Sequence, residues 1–139
     1  MLSTTSQYAL RALSCLAGNP DTVTLGRDLS ARTGVPATYL AKIMLALRHA
    51  GIVTATRGCH GGYCLARPPS STRLMEVVEL FEGESARPRC LLGHADCSDR
   101  HPCLAHALWK DVRAHYIAFL EQTSVADISK QKKRAHSHR

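Results

Sequence analysis

Three cysteines and one histidine lie close together late in the chain, where they could hold a metal. Cys90, Cys97 and Cys103 are followed by His106, which gives the pattern C-x6-C-x5-C-x2-H. Thiolates bind zinc ions and iron–sulfur clusters, and an imidazole can replace a thiolate at one iron. These four residues therefore predict a metal or iron–sulfur centre.

Three alternatives compete with an iron–sulfur centre. A structural zinc ion would use the same donors, although zinc sites usually contain a tight C-x2-4-C knuckle and the gaps here are longer. The segment is rich in Gly, His, Asp, Arg and Pro, so it offers little apolar surface to bury cysteines as small hydrophobic residues. A disulfide is not expected, because the chain opens with no secretory segment and a reducing, cytoplasmic location follows. We favour iron–sulfur, with zinc as the main alternative.

The fourth ligand is less constrained than the three cysteines. Other donors occur in the same segment, namely His94, Asp96, Asp99 and His101. We predict a long helix over residues 103–123, so His106 would lie three positions after Cys103 on the same helix face. On that argument His106 is the predicted fourth ligand.

Composition and charge narrow the class of protein. The chain has 139 residues and 45% hydrophobic content, enough for one core with an extended appendage. A formal net charge of +7 favours polyanionic partners such as nucleic acid. No apolar run is long enough to span a bilayer, and no nucleophile elbow, P-loop or dinucleotide fingerprint occurs, so neither a membrane protein nor an enzyme is expected.

Hydrophobic periodicity predicts three helices in the first part of the chain, over residues 3–18, 25–33 and 36–50. Gly34 supplies a turn between the second and third helices, which is typical of a helix-turn-helix unit. In such a unit the N-terminal part of the last helix enters the major groove of double-stranded DNA. Thr38, Tyr39 and Lys42 are therefore predicted DNA contacts.

A glycine-rich hairpin is predicted directly after these helices. Residues 51–55 and 63–66 read as two strands, and the tip between them contains Arg57, His60 and paired glycines. We expect this hairpin to be a wing whose Arg57 and His60 enter a minor groove.

The last part of the chain is predicted to be helical. A helix over residues 72–82 should pack on the first helix. The long helix carries an apolar stripe that indicates a homodimer, and twofold pairing suits a palindromic operator. The stripe consists of Leu104, Leu108, Val112, Tyr116, Phe119 and Leu120.

The predicted fold class is mainly α with a small β-hairpin: a winged helix-turn-helix domain followed by a long C-terminal dimerisation helix. The domain boundaries are 1–83 for the DNA-binding domain, 84–103 for a cluster-binding loop, 104–129 for the dimerisation helix and C-terminal segment, and 130–139 for a flexible basic tail. The tail is predicted from its lysines, arginines and histidines and its lack of apolar content.

The sequence resembles the iron–sulfur and nitric-oxide responsive repressors typified by IscR and NsrR, over nearly the whole chain. The matching motifs are YALRAL at 8–13, LRHAGIV at 47–53, GGYCLAR at 61–67, EG at 82–83 and the three cysteines. The resemblance implies a winged-helix homodimer that regulates transcription by sensing iron–sulfur cluster status, redox state or nitric oxide. It also implies that His106 completes Cys3His ligation of a 2Fe-2S cluster.

Within this family the chain looks most like the IscR branch, because of the segment CLAHALW at 103–109. Nitric-oxide sensors of the family more often use a carboxylate from the first helix, where this chain has Gln7. One difference from the IscR pattern is the first cysteine gap, which has six residues rather than the usual five.

Overall fold

The computed structural model describes residues 2–95 and 97–129. The predicted tail at 130–139 and the candidate donor Asp96 lie outside the described residues. The helices are α1 Thr4–Ala17, α2 Gly26–Thr33, α3 Ala37–His49, α4 Leu74–Glu82 and α5 His106–Gln122. The strands are β1 Val53–Thr56 and β2 Gly62–Leu65. The predicted fold class is confirmed: the described part is mainly helical with one antiparallel hairpin.

Helix α1 forms the centre of the core. The hydroxyl of Ser3 accepts a bond from the amide of Ser6 at 3.1 Å and so caps the first turn. The face that carries Ala9, Leu13 and Leu16 is buried against α2, α3 and α4. The carboxylate of Glu82 at the end of α4 accepts a hydrogen bond from the Ser6 hydroxyl, which ties α4 to the start of α1.

The turn between α2 and α3 has the chemistry expected for a helix-turn-helix. Gly34 adopts a left-handed conformation with φ of +76°, which favours glycine, and its amide donates to the carbonyl of Ser30. Pro36 then precedes α3. Helix α3 buries Leu40 and Met44 on its inner face, so its opposite face remains exposed to solvent.

The hairpin has an additional partner that the sequence did not indicate. Val53 pairs with Leu65 and Thr56 with Gly62 in the β1–β2 register. Thr24, just before α2, also forms an antiparallel bridge with Tyr63, and two backbone hydrogen bonds of 2.8 Å join them. The wing is therefore fastened to the helix-turn-helix.

Helix α5 begins at His106, so the predicted start at Cys103 is wrong. The amide of His106 makes a turn bond to the Cys103 carbonyl at 3.1 Å, whereas the first helical bond runs from Trp109 to Ala105 at 2.9 Å. Cys103 and Leu104 thus precede the helix. Periodicity does not reveal this boundary, because the apolar spacing continues through the turn.

The predicted apolar stripe on α5 divides into two parts. Leu120 is 1% exposed, and Val125, just beyond the helix, belongs to the same core. Leu108 and Val112, nearer the start of α5, are 83% and 53% exposed. The C-terminal part of α5 therefore buries Leu120 in the core of this chain, although Phe119 beside it is 54% exposed, while the N-terminal part presents Leu108 and Val112 to solvent.

Within residues 2–95 and 97–129, none of the helices is both long and apolar enough to cross a membrane.

Candidate functional site

The cysteine loop brings three sulfur atoms together at the start of α5. The Sγ atoms of Cys90, Cys97 and Cys103 all lie within 4.8 Å of one another. The Sγ atoms of Cys90 and Cys103 are 3.7 Å apart. All three side chains are half-buried. The three sequence-predicted cysteine ligands thus share one location.

His106 joins this group through Cys97. Its Nδ1 lies 3.4 Å from the Cys97 Sγ, and its side chain is only 14% exposed. We expected His106 to share a helix face with Cys103, but Cys103 lies outside α5. The loop path places the imidazole beside Cys97 instead.

The other candidate donors that the structure describes also lie beside the cysteines, and His94 and His101 line a cavity with Cys97 and Cys103. The amide of His94 donates to the Cys90 sulfur. His101 forms a tight turn with Ser98, with backbone and hydroxyl hydrogen bonds of 3.3 and 3.2 Å. The Oδ1 of Asp99 accepts hydrogen bonds from His106 Nε2 and Lys110 Nζ, each at 2.9 Å.

The thiols of Cys90 and Cys97 have pKa values shifted in opposite directions. Burial raises the pKa of Cys90, but the amides of His94 and Leu92 and the neighbouring thiols outweigh it and lower that pKa to about 7. At Cys97 the Cys103 amide lowers the pKa, yet the Cys103 sulfur, burial and the Cys90 sulfur raise it overall. Thiolates that oppose one another's ionisation form a site that a cation would stabilise.

Asp99 is a carboxylate over the whole physiological pH range. The ammonium of Lys110 and then the imidazole of His106 donate hydrogen bonds to it and lower its pKa to about 2. Sequence reasoning treated Asp99 as a competing ligand and overlooked Lys110. Lys110 is four positions after His106 on α5, a spacing that places two helical residues on one face and could have indicated their relation.

Three contacts that the sequence did not predict fasten the cysteine loop. The indole Nε1 of Trp109 donates to the carbonyl of Arg89 at 3.0 Å, which joins α5 to the residue before Cys90. The guanidinium of Arg87 pairs with Glu79 of α4 at 3.0 Å and with Glu121 of α5 at 3.3 Å. The loop is thereby tied to both helices.

The predicted DNA-reading residues of α3 lie on its outer face. Thr38 and Lys42 are exposed, and Tyr39 is 38% exposed. The hydroxyl of Tyr39 is hydrogen-bonded to that of Thr5, and its ring meets Tyr8 edge-on with centroids 5.3 Å apart. Tyr39 therefore also links α3 to α1.

The wing tip presents the other two predicted DNA contacts. Arg57 and His60 are both exposed and lie between the end of β1 and the start of β2.

The remaining cysteines lie apart from the sulfur group. All six cysteines are free thiols; Cys15 packs against the core, Cys59 is exposed, and the Cys64 thiol donates to the Pro20 carbonyl at 3.1 Å.

Comparison with known proteins identifies the family. The model of the Rrf2 family, described as an iron-dependent transcriptional regulator, matches residues 2–131. The chain belongs to the Rrf2 family. It is therefore a DNA-binding transcriptional regulator, and its relatives are regulators rather than enzymes. The family resemblance seen in the sequence motifs is confirmed.

Individual relatives agree with this assignment. The HTH-type transcriptional regulator IscR of Cereibacter sphaeroides is 37% identical over 140 residues, covering 96% of this chain and 89% of the relative. The solved structure of T. potens IscR has a TM-score of 0.74 and 26% identity, covering 97% of this chain and 90% of that one. CymR, the global cysteine regulator of B. subtilis, has a TM-score of 0.80 at 23% identity, covers 94% of this chain and 97% of its own, and shows the shared winged-helix fold.

Proposed function

We propose that the chain is a cytoplasmic repressor that senses iron–sulfur cluster status, redox state or nitric oxide through a 2Fe-2S cluster. Cys90, Cys97, Cys103 and His106 would hold the cluster. The observation that carries this proposal is the meeting of these four side chains at the start of α5.

The spacing of the cysteines in the sequence favours an iron–sulfur cluster over a zinc ion, because the gaps of six and five residues lack the tight C-x2-4-C knuckle usual at zinc sites. Four protein ligands on a 2Fe-2S cluster are shared between two irons. The donors form two close pairs, Cys90 with Cys103 at 3.7 Å and Cys97 with His106 at 3.4 Å. Among the described donors, the set that lies within 4.8 Å of one another contains the three sulfurs but not the imidazole. These distances suit one tetrahedral ion held by three thiolates as well as a cluster, so metal and sulfide analysis distinguishes the two.

When bound, such a cluster supplies a redox-active centre, and histidine ligation raises its reduction potential relative to four thiolates. The residues around the cluster would transmit a change in its oxidation state or occupancy to α5. Cys103 and His106 adjoin the first turn of α5, and Trp109 holds the loop against the same helix. The far end of α5 is fixed in the core by Leu120. A change at the cysteines would therefore move mainly the exposed N-terminal part of the helix.

We further propose that this exposed part pairs two copies of the chain. Leu104 is fully exposed and Leu108 is 83% exposed, which is costly for leucine side chains in water. In a homodimer that pairs through these residues, the cluster state would set the spacing of the two α3 helices on a palindromic operator. The chain would then divide into three functional parts. These are a DNA-binding domain at 1–83, a sensor loop at 84–103 and a pairing segment at 104–129.

Absorption spectroscopy on anaerobically purified protein tests the cluster. We expect a brown protein that absorbs between about 300 and 600 nm, with iron and sulfide in equal amounts. Cys97→Ala should abolish the absorption, and the matched control Cys59→Ala should keep it. A colourless protein that carries zinc would overturn the cluster assignment.

DNA binding across a salt series tests the reading surface. We propose that Thr38, Tyr39, Lys42, Arg57 and His60 contact DNA. If Lys42 and Arg57 neutralise phosphates, each change to Ala lowers the slope of log affinity against log salt by about 0.9. Thr38→Ala should narrow the difference between operator and random DNA. Unchanged slopes in both basic variants, with Arg100→Ala as the control, would rule out their phosphate contacts.

Sedimentation tests the pairing. Leu108→Glu should shift the protein toward monomer, whereas Leu45→Glu, at a leucine 51% exposed on α3, should leave the assembly unchanged. A dimer that survives Leu108→Glu would place the interface elsewhere.

A further inference from the structure

Asp99 links the proposed ligand His106 to a lysine on the same helix. Its Oδ1 lies 2.9 Å from His106 Nε2 and 2.9 Å from Lys110 Nζ. The other ring nitrogen, Nδ1, lies 3.4 Å from the Cys97 sulfur. The two nitrogens of one imidazole therefore face a carboxylate and a thiol.

The carboxylate determines which nitrogen carries the proton. A neutral imidazole has one N–H and one lone pair, whereas an ionised carboxylate only accepts hydrogen bonds. Nε2 must therefore carry the hydrogen to bond Asp99. The lone pair is left on Nδ1, the nitrogen that faces Cys97. A histidine binds a metal through such a lone pair, and a carboxylate on the opposite nitrogen commonly orients it.

Lys110 holds the Asp99 carboxylate in position to accept the hydrogen bond from His106. Asp99 is 70% exposed, so its side chain has little packing to position it. Lys110 extends from α5 one turn after His106 and donates to the same oxygen. An isolated ion pair at such exposure contributes little to stability, so its effect should appear at His106 rather than in the unfolding free energy.

We infer that Asp99 is a positioning residue that holds His106 as the Nε2–H tautomer with Nδ1 free to bind metal, and that Lys110 positions Asp99. The part of this inference that concerns metal binding rests on the proposed function. The tautomer of His106 can be measured in protein that contains no metal.

The first test uses cluster-free protein with 15N-labelled histidine at pH 8. Two-bond 1H–15N correlation spectra report which nitrogen of His106 is protonated. We expect the Nε2–H form alone in the wild type and a mixture of tautomers in Asp99→Leu. Asp99→Glu should restore the single form, and the control Asp111→Asn should match the wild type. Identical His106 signals in the wild type and Asp99→Leu would overturn the inference.

The second test measures the rate at which a chelator removes iron from anaerobic protein. Loss of a carboxylate behind a metal-binding histidine weakens metal binding by about 10- to 100-fold. We expect Asp99→Leu to lose its chromophore faster by that order, Lys110→Gln to show a smaller change in the same direction, and Lys110→Arg to resemble the wild type. A brown Asp99→Leu protein as stable as the wild type would refute the role of Asp99 and leave the cluster proposal standing. A colourless wild type would refute the cluster proposal, and the tautomer spectra would still decide the role of Asp99.

Discussion

A methyl group at position 62 has no room in the wing. A Cβ built on Gly62 would lie 2.2 Å from the Thr24 carbonyl oxygen and 2.9 Å from the Leu25 Cα. Both atoms belong to the backbone, so no side chain can turn away to relieve the contact. Gly62→Ala should therefore force β2 away from Thr24.

The expected cost follows from the bonds and the dihedral angle. The two backbone hydrogen bonds between Thr24 and Tyr63 would be lost, at about 1 kcal/mol each. The φ of +147° at Gly62 adds about 1–2 kcal/mol for a residue with a Cβ. We expect the free energy of unfolding to fall by about 3–4 kcal/mol and Tm by about 10 °C. The wing would also lose its link to the helix-turn-helix, so DNA affinity should fall.

Gly58→Ala is the matched control in the same wing. Gly58 has a φ of +105°, but no atom lies within 4 Å of its built Cβ, so only the conformational cost of about 1–2 kcal/mol applies. Urea unfolding followed by circular dichroism measures both variants. Losses for Gly62→Ala and Gly58→Ala that agree within about 0.5 kcal/mol would refute the steric argument.

Two further predictions concern the thiols and the core. In cluster-free protein, the alkylation rate of Cys90 should rise with pH through a midpoint near 7, matching its lowered pKa. Mass spectrometry of iodoacetamide-labelled peptides measures this rate, and a Cys90 midpoint at the ordinary thiol value of about 8.5 would contradict the proposed stabilisation of the Cys90 thiolate. Leu13→Ala should lower the free energy of unfolding by about 3–5 kcal/mol, because Leu13 is fully buried. Leu45→Ala, at an exposed leucine, should cost under about 1 kcal/mol, and a similar loss in both would place Leu13 outside the core.

Local patterns in the sequence were sufficient to predict helices α1 to α4 and the wing hairpin, but not the start of α5. The start and end of α1 follow from Ser3 and Gly18, and the turn after α2 follows from Gly34 and Pro36. Such features depend on hydrogen bonds and dihedral preferences within a few consecutive residues. The cysteine spacing likewise identified the candidate ligands, since few other chemistries need three thiols and an imidazole so close in sequence.

Contacts between segments distant in sequence decided the features that local patterns could not predict. The imidazole of His106 meets the sulfur of Cys97, nine residues earlier, because the path of the loop places it there, held in part by the Trp109 bond to Arg89. The division of the α5 stripe depends on which part of the helix reaches the core. The bridge from Thr24 to Tyr63 joins residues 39 positions apart. Chain periodicity describes which face of an element is apolar, but it carries no information about which other segment that face or side chain will meet.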